Sequence, residues 1–231
     1  MDSTYSNIYE SETDFDIKLT TYVHRVLDKR LQGPNVLEMG CGRGTMTRLL
    51  TLRFPELHVV DASPRSLELA LQQAPNSIRL FCSFFENFSP PTRYNSIVMA
   101  NVVEHVADPL SILRLAASWL RPGGSLHVVV PNANSLHRMI GVAMGMLTTV
   151  DALSERDVAL GHQRVYKRDA LLADLAAAGL RVLHAEGVFL KILSNAQLEQ
   201  FEPRLVEALF KVGGQLPEYC ADIYVHAAAV S

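Results

Sequence analysis

An acidic residue followed by three glycines at alternate positions, Glu38-x-Gly40-x-Gly42-x-Gly44, is the part of this sequence best suited to holding a cofactor. Asn35, Val36 and Leu37 before it read as a short apolar strand, and Thr45 to Leu52 after it as a helix. A strand that meets a helix through glycines presents bare backbone and a helix N-terminus, which suits a nucleotide-type ligand. Two more groups stand where chemistry could use them. Asp61 ends the stretch His58-Val59-Val60 and lies 21 residues beyond Gly40, close to the offset at which a carboxylate accepts hydrogen bonds from both ribose hydroxyls. Its competing role is to cap the helix that begins near Pro64, for which Ser63 is better placed. His105 follows the apolar stretch Asn95 to Ala100, and a neutral imidazole there could take a proton from a hydroxyl near neutral pH.

The spacing of the glycines discriminates between cofactors. A dinucleotide loop needs Gly-x-Gly-x-x-Gly, whereas here the third glycine comes one residue early and Thr45 stands in its place. The Tyr-x-x-x-Lys set of many dinucleotide oxidoreductases is also missing.

These groups need elements to position them. Apolar residues from Phe15 to Leu31 recur at mixed helical spacing and predict one or two helices that end before Gly33-Pro34. Strands are predicted at His58 to Asp61, Ser77 to Cys82, Asn95 to Ala100, Ser125 to Val130, Arg181 to Ala185 and Asp222 to Ala229. Helices are predicted at Ser66 to Gln73, from Asp108-Pro109 to Leu120, from Lys167 to Ala178 with Gly179 as its stop, and from Leu198 to Val212. Strands alternating with helices at this rhythm imply a parallel sheet covered on both faces. Asn132 to Gly161 interrupts the rhythm. Met139, Ile140, Val142, Ala143 and Met146 suit an adaptable apolar wall over an acceptor, the alternatives being a homodimer contact or a membrane-surface helix.

The chain has 231 residues, 48% of them hydrophobic, enough for one α/β domain. A formal net charge of -3 argues against a nucleic-acid partner. Cys41, Cys82 and Cys220 are far apart and lack metal-ligand spacing, which fits a reducing, cytoplasmic setting. The N-terminus lacks the basic and apolar regions of a signal peptide, and the longest apolar run, Met139 to Val150, falls short of the ~20 residues of a membrane span.

The pattern Glu38-x-Gly40-x-Gly42-x-Gly44 resembles motif I of the class I S-adenosylmethionine-dependent methyltransferases. Asn101-Val102-Val103-Glu104-His105-Val106-Ala107-Asp108-Pro109 is similar to the post-strand motif of the ubiquinone-biosynthesis-type small-molecule methyltransferases. Arg121-Pro122-Gly123-Gly124 followed by Leu126-His127-Val128-Val129-Val130-Pro131 is a third shared segment, so the matches run in order over roughly residues 35 to 131. The resemblance implies a Rossmann-like, doubly wound, mostly parallel seven-stranded sheet in a single domain. Its last strand would be antiparallel, with residues 1–34 as a helical lid and 132–166 as an inserted helical cap. Tyr5 or Tyr9 would lie near the methionine end of the cofactor.

S-adenosylmethionine would then be held by Glu38, Gly40, Gly42, Asp61, Ala62, Phe84, Phe85, Asn101 and Val102. Many relatives carry an aspartate for the adenine amino group where Phe84 stands here, so adenine would rest on stacking and backbone contacts, unless the aromatics are simply core. The activated methyl group mainly requires an acceptor held in line and water excluded. His105 is the expected catalytic base, with His137 and His162 as rivals and orientation of the cofactor loop as its bland alternative. Metal is not expected, because Asn132 and Asn134 stand where divalent-ion enzymes cluster carboxylates. The reading is O-methylation of a small molecule. N-methylation, a nicotinamide-dinucleotide oxidoreductase and a non-catalytic partner subunit of the same fold are the alternatives.

Overall fold

A computed structural model describes residues 15–74 and 78–230 of the chain. The strands are β1 (Val36–Met39), β2 (His58–Asp61), β3 (Arg79–Cys82), β4 (Tyr94–Ala100), β5 (Leu120–Pro131), β6 (Leu180–Val188) and β7 (Asp222–Ala229). They form one sheet in the order β3-β2-β1-β4-β5-β7-β6, in which β7 alone runs antiparallel, against both β5 and β6. Both the seven strands and the single reversal agree with the resemblance. The helices are α1 (Phe15–Leu27), α2 (Thr45–Thr51), α3 (Pro64–Gln73), α4 (Pro109–Ser118), α5 (Leu136–Ala143), α6 (Glu155–Ala159), α7 (Arg168–Ala177), α8 (Asn195–Leu198) and α9 (Pro203–Gly213).

The period-two alternation of the strands feeds two cores, one per face. Leu37, Met39, Val60, Ile97, Met99 and Val128 turn toward α4 and α7, where Ile112, Leu113, Leu171 and Leu175 bury against them. Val36, Val59, Val98, Val129 and Tyr224 turn the other way and meet Phe15, Leu50, Leu67, Val206 and Leu209 of α1, α2, α3 and α9. Polar caps start the helices where the sequence places them. The Ser63 hydroxyl accepts from Ser66 N at 3.2 Å and the Asp108 carboxylate from Ser111 N at 3.1 Å, each followed by proline at the first helical position.

Several boundaries differ from the sequence reading. The helix expected from Leu198 to Val212 is two helices, because Pro203 lacks the amide a continuing helix needs and opens a new one instead. Arg121 to Gly124, expected as a turn, lies inside β5. Tyr94 pairs with Leu120 and the ladder resumes at Ser96 with Ser125, so the extra residues are taken up as a bulge. β3 starts at Arg79, and Ser77, where it was expected to begin, lies outside the described residues. β6 continues to Val188 because it pairs with β7 along its whole length.

α1 covers one face of the sheet and also reaches the rim of the cavity above it. Phe15, Leu19, Val23, Val26 and Leu27 bury against the sheet side, and Phe15 meets Phe189 edge-on at 5.4 Å. Asp16, Ile17 and Thr20 border the large cavity above the sheet. Tyr5 and Tyr9 lie outside the described residues.

Candidate active site

β1 lies between β2 and β4, so the connections from β1 and β4 leave in opposite directions and open a crevice at their carboxyl ends. The glycine loop occupies one side of it and the loop from Asn101 to Asp108 the other. Gly40 has φ +74°, and a Cβ on it would lie 2.7 Å from Val102 Cγ2, so a side chain there would collide with the facing loop. Gly44 has φ +82°, and its Cβ would stand 2.5 Å from the Ala70 Cα of α3. The third glycine is therefore what lets α2 start hard against α3, a packing role served here one residue earlier than in the dinucleotide pattern.

Asp61 ties the two walls of the cofactor loop. Its Oδ2 accepts from Cys41 N at 2.9 Å and its Oδ1 from Ser63 N at 2.8 Å. An ionised carboxylate has about four acceptor positions, so lone pairs remain for a ribose diol. Ser63 is the helix cap, as its position suggested. Glu38 is buried beneath the loop, where its Oε2 accepts from Thr47 Oγ1 at 2.7 Å, and burial pushes its carboxyl up to about 8. It thus enters the neutral pH range protonated. Phe84 is exposed at the rim, and Phe85 begins a short 3-10 turn beside it. Asn101 adopts φ +56°, a left-handed conformation that costs a non-glycine residue strain and is characteristic of functional loops.

Glu38, Gly40, Gly42, Asp61, Ala62, Phe84, Phe85, Asn101, Val102 and His105 all border one cavity of about 2400 Å³. Pockets for one small ligand run to roughly 300–1,000 Å³. The cavity therefore has room for a nucleotide-sized ligand and a second molecule. Ile140, Met144, Met146 and Leu147, from α5 and the stretch after it, form an apolar wall of the same cavity.

His105, on the loop after β4, borders the same cavity. Its imidazole packs edge-on against His162 with ring centroids 4.7 Å apart. Burial, and then the neighbouring His162, pull its pKa down to about 4 against a hydrogen bond to the Gly161 backbone. It is neutral at pH 7, the form that can accept a proton. His162 Nδ1 lies 3.3 Å from Asp157 Oδ1. Burial raises the Asp157 carboxyl, but His162, Ser154 and Arg138 together outweigh it and hold the group below the usual carboxylate range. Arg138 is itself buried, 3.0 Å from Asp157 Oδ2 and 2.7 Å from the Val150 carbonyl.

Glu104 is fully buried, and neither carboxylate oxygen has a hydrogen-bond partner among the described residues; burial pushes it up to about 8. One ligand-type atom each from Glu104, His105 and His162 lies within 4.8 Å of the other two, the one such trio among the described residues. This trio was not legible in the sequence, because no short spacing links Glu104-His105 to His162. His137, the other rival, lies on the cavity wall with Nδ1 buried and unpartnered among the described residues, and burial, Lys191 and Arg138 pull it down to about 3. Asp157, Arg138 and Arg164 were missed by sequence reasoning. Only the Ser154-x-x-Asp157 capping box was legible locally.

These buried groups set a pH dependence for the cofactor-free protein. Glu38 and Glu104 at about 8 and Asp222 at about 7 have folded pKa values raised above their unfolded ones, so their stabilisation is complete below about pH 4 and is lost as pH rises through 7 and 8. His127 and His137, both at about 3, are lowered, so their contribution is present above 6.5 and lost as pH falls. Each group adds a slope of up to about 1.4 kcal/mol per pH unit within its window. Thermal unfolding should therefore show a falling alkaline arm between pH 6.5 and 8, and Glu38→Gln should flatten it. An arm unchanged by that substitution would contradict a protonated Glu38.

A family model described as a methyltransferase domain matches residues 14–185 of this chain. Among curated relatives, a ubiquinone biosynthesis O-methyltransferase of Idiomarina loihiensis is 28% identical over 177 residues, covering 74% of this chain and 71% of that protein. One of Leptothrix cholodnii is 30% identical over 111 residues, and this chain spans about half of its length, 47%, with 46% of its own residues matched. Among solved structures, the N-methyltransferase NodS of Bradyrhizobium japonicum, in complex with S-adenosylhomocysteine, superposes with a TM-score of 0.58 at 16% identity, covering all of both chains. A complex of the Haloferax volcanii Trm112 methyltransferase activator with a putative methyltransferase gives 0.68 at 14%, covering 100% of this chain and 99% of that one. At such identities the structures speak for the fold. The family match covers well over half of the chain and sets aside the nicotinamide alternative. The chain belongs to this methyltransferase domain family and is a class I S-adenosylmethionine-dependent methyltransferase.

Proposed function

We propose that the enzyme transfers the methyl group of S-adenosylmethionine to a hydroxyl of a small organic acceptor, with His105 receiving the hydroxyl proton. The observation that carries this reading is a neutral imidazole on the loop after β4, bordering the cavity that the glycine loop and Asp61 also line, with room there for a second molecule. The glycine loop, Asp61 and the Phe84-Phe85 pair hold the cofactor from three sides, and the apolar wall from Ile140 to Leu147 excludes water from the transfer. The sulfonium already activates the methyl group. What this chain adds is position and a proton acceptor.

The ubiquinone biosynthesis O-methyltransferase names of the curated relatives support oxygen as the acceptor atom. The residues at 132–166 and α1 serve as acceptor cap and lid, and the net charge of -3 favours a small molecule over a nucleic acid. Incubating the protein with S-adenosylmethionine and matched panels of phenols, catechols and primary amines, with products read by mass spectrometry, tests the assignment. Methylation confined to amines would overturn it. Turnover abolished by a chelator and restored by a divalent ion would give the Glu104, His105 and His162 trio to a cation instead of a proton. No helix among the described residues is long and apolar enough to cross a membrane.

A further inference from the structure

The loop that carries His105 is held from outside itself. After β4 ends at Ala100 the backbone borders the cavity through His105, Val106 and Ala107 and enters α4 at Pro109. Three of its carbonyls point to one guanidinium: Arg164 donates from Nη1 to Val103 O at 3.0 Å and Val106 O at 2.5 Å, and from Nη2 to Ala107 O at 3.3 Å. The residue before it supplies two more bonds, from Gln163 N to Glu104 O at 2.9 Å and from Gln163 Nε2 to His105 O at 2.8 Å. Every carbonyl from Val103 to Ala107 is thus taken by two consecutive residues that lie about 60 positions later in the chain.

The same segment is anchored at both ends. His162, just before it, packs against the His105 ring and contacts Asp157, which belongs to the α6 capping box and pairs with Arg138 of α5. Tyr166, just after it, bridges to Asn132 and accepts from Ala133 N at 2.8 Å, at the end of β5. A planar guanidinium with fixed donor directions can satisfy several carbonyls at once, which an ammonium on a flexible stem does less well. Helix capping does not explain the residue, since α4 is capped by Asp108.

We propose that Arg164 is a positioning residue for methyl transfer: it fixes the Val103 to Ala107 turn in the one arrangement that directs His105 at the acceptor, and so couples the seating of the 132–166 segment to the turn that carries His105. The inference rests on His105 as the proton acceptor. Arg164 itself touches neither cofactor nor acceptor. Its removal should lower turnover at saturating acceptor while leaving cofactor affinity alone, because Gly40, Gly42 and Asp61 do not depend on it.

The test uses Arg164→Ala, Arg164→Lys, His105→Ala and the Arg164→Ala/His105→Ala double variant in the full chain, with Arg168→Ala as a surface control. Turnover is read with whichever phenol or catechol of the panel above is methylated fastest, and S-adenosylhomocysteine affinity by calorimetry. Arg164→Ala should lose on the order of tenfold or more in kcat with cofactor affinity within about twofold. Arg164→Lys should recover part of it, added guanidinium should rescue the alanine variant, and the double variant should be no slower than His105→Ala alone. Amide exchange in the S-adenosylhomocysteine complex gives a reading without acceptor: protection at residues 103–107 should fall in Arg164→Ala and stay intact in Arg168→Ala. Multiplicative losses in the double variant, or unchanged protection of the turn, would overturn the coupling. Normal turnover in His105→Ala would instead remove the proton-acceptor reading, and this inference with it.

Discussion

His105→Ala should lower turnover by roughly 100-fold or more, the usual scale of general-base assistance, while S-adenosylmethionine affinity stays within about twofold. The ring borders the cavity but makes no bond to the glycine loop or to Asp61, so nothing in cofactor binding depends on it. The acid limb of the wild-type rate profile should lie below the ordinary imidazole value of 6.5, since burial and His162 pull His105 down to about 4 and only the protonated ring is inactive. That limb should vanish in the variant. A histidine that merely orients the cofactor loop gives the opposite split, with weaker cofactor binding and turnover at saturation kept. His162→Ala provides the internal comparison: if it abolishes turnover while His105→Ala does not, the base is the ring that contacts Asp157.

Asp61→Ala should weaken S-adenosylmethionine binding by tenfold at the least. Hydrogen bonds to a charged acceptor contribute about 1.5–3 kcal/mol each, and two ribose hydroxyls are at stake, with a sum reduced by non-additivity. The structure adds a term that the sequence did not show. Asp61 also accepts from Cys41 N and Ser63 N, so alanine strips the glycine loop and the start of α3 of their shared acceptor. Loss of affinity in Asp61→Ala should therefore come with a lower melting temperature, and Asp61→Asn, which keeps one acceptor oxygen, should lie between. Calorimetric titration beside thermal unfolding measures both. Affinity equal to wild type would return Asp61 to a purely local role in its turn.

Local spacing made the cofactor half of the molecule readable. A glycine at a left-handed position, a carboxylate at the tip of the next strand and a capped helix start are each decided within a few residues, so Gly40, Gly44, Asp61, Ser63 and Asp108 stand where their residue types suggested. Boundaries went wrong where pairing with a distant strand outweighed local signals. Arg121 to Gly124 reads as a turn in isolation, yet it lies in β5 because Tyr94 pairs across to Leu120. β6 outlasts its local pattern for the same reason, since β7 pairs with it as far as Val188.

The sequence by itself determined the layered α/β architecture and the cofactor loop, because hydrophobic period and glycine geometry are written within short windows, while the single reversed strand followed from the family resemblance and not from periodicity. Only the tertiary structure decided what surrounds His105. Its neighbours Asp157, His162, Gln163 and Arg164 lie more than 50 residues away in sequence, and Arg138 joins them from a different helix. No periodicity relates such residues. They meet because the chain after α6 folds back onto the loop after β4, where buried charges must find partners and buried carbonyls must find donors.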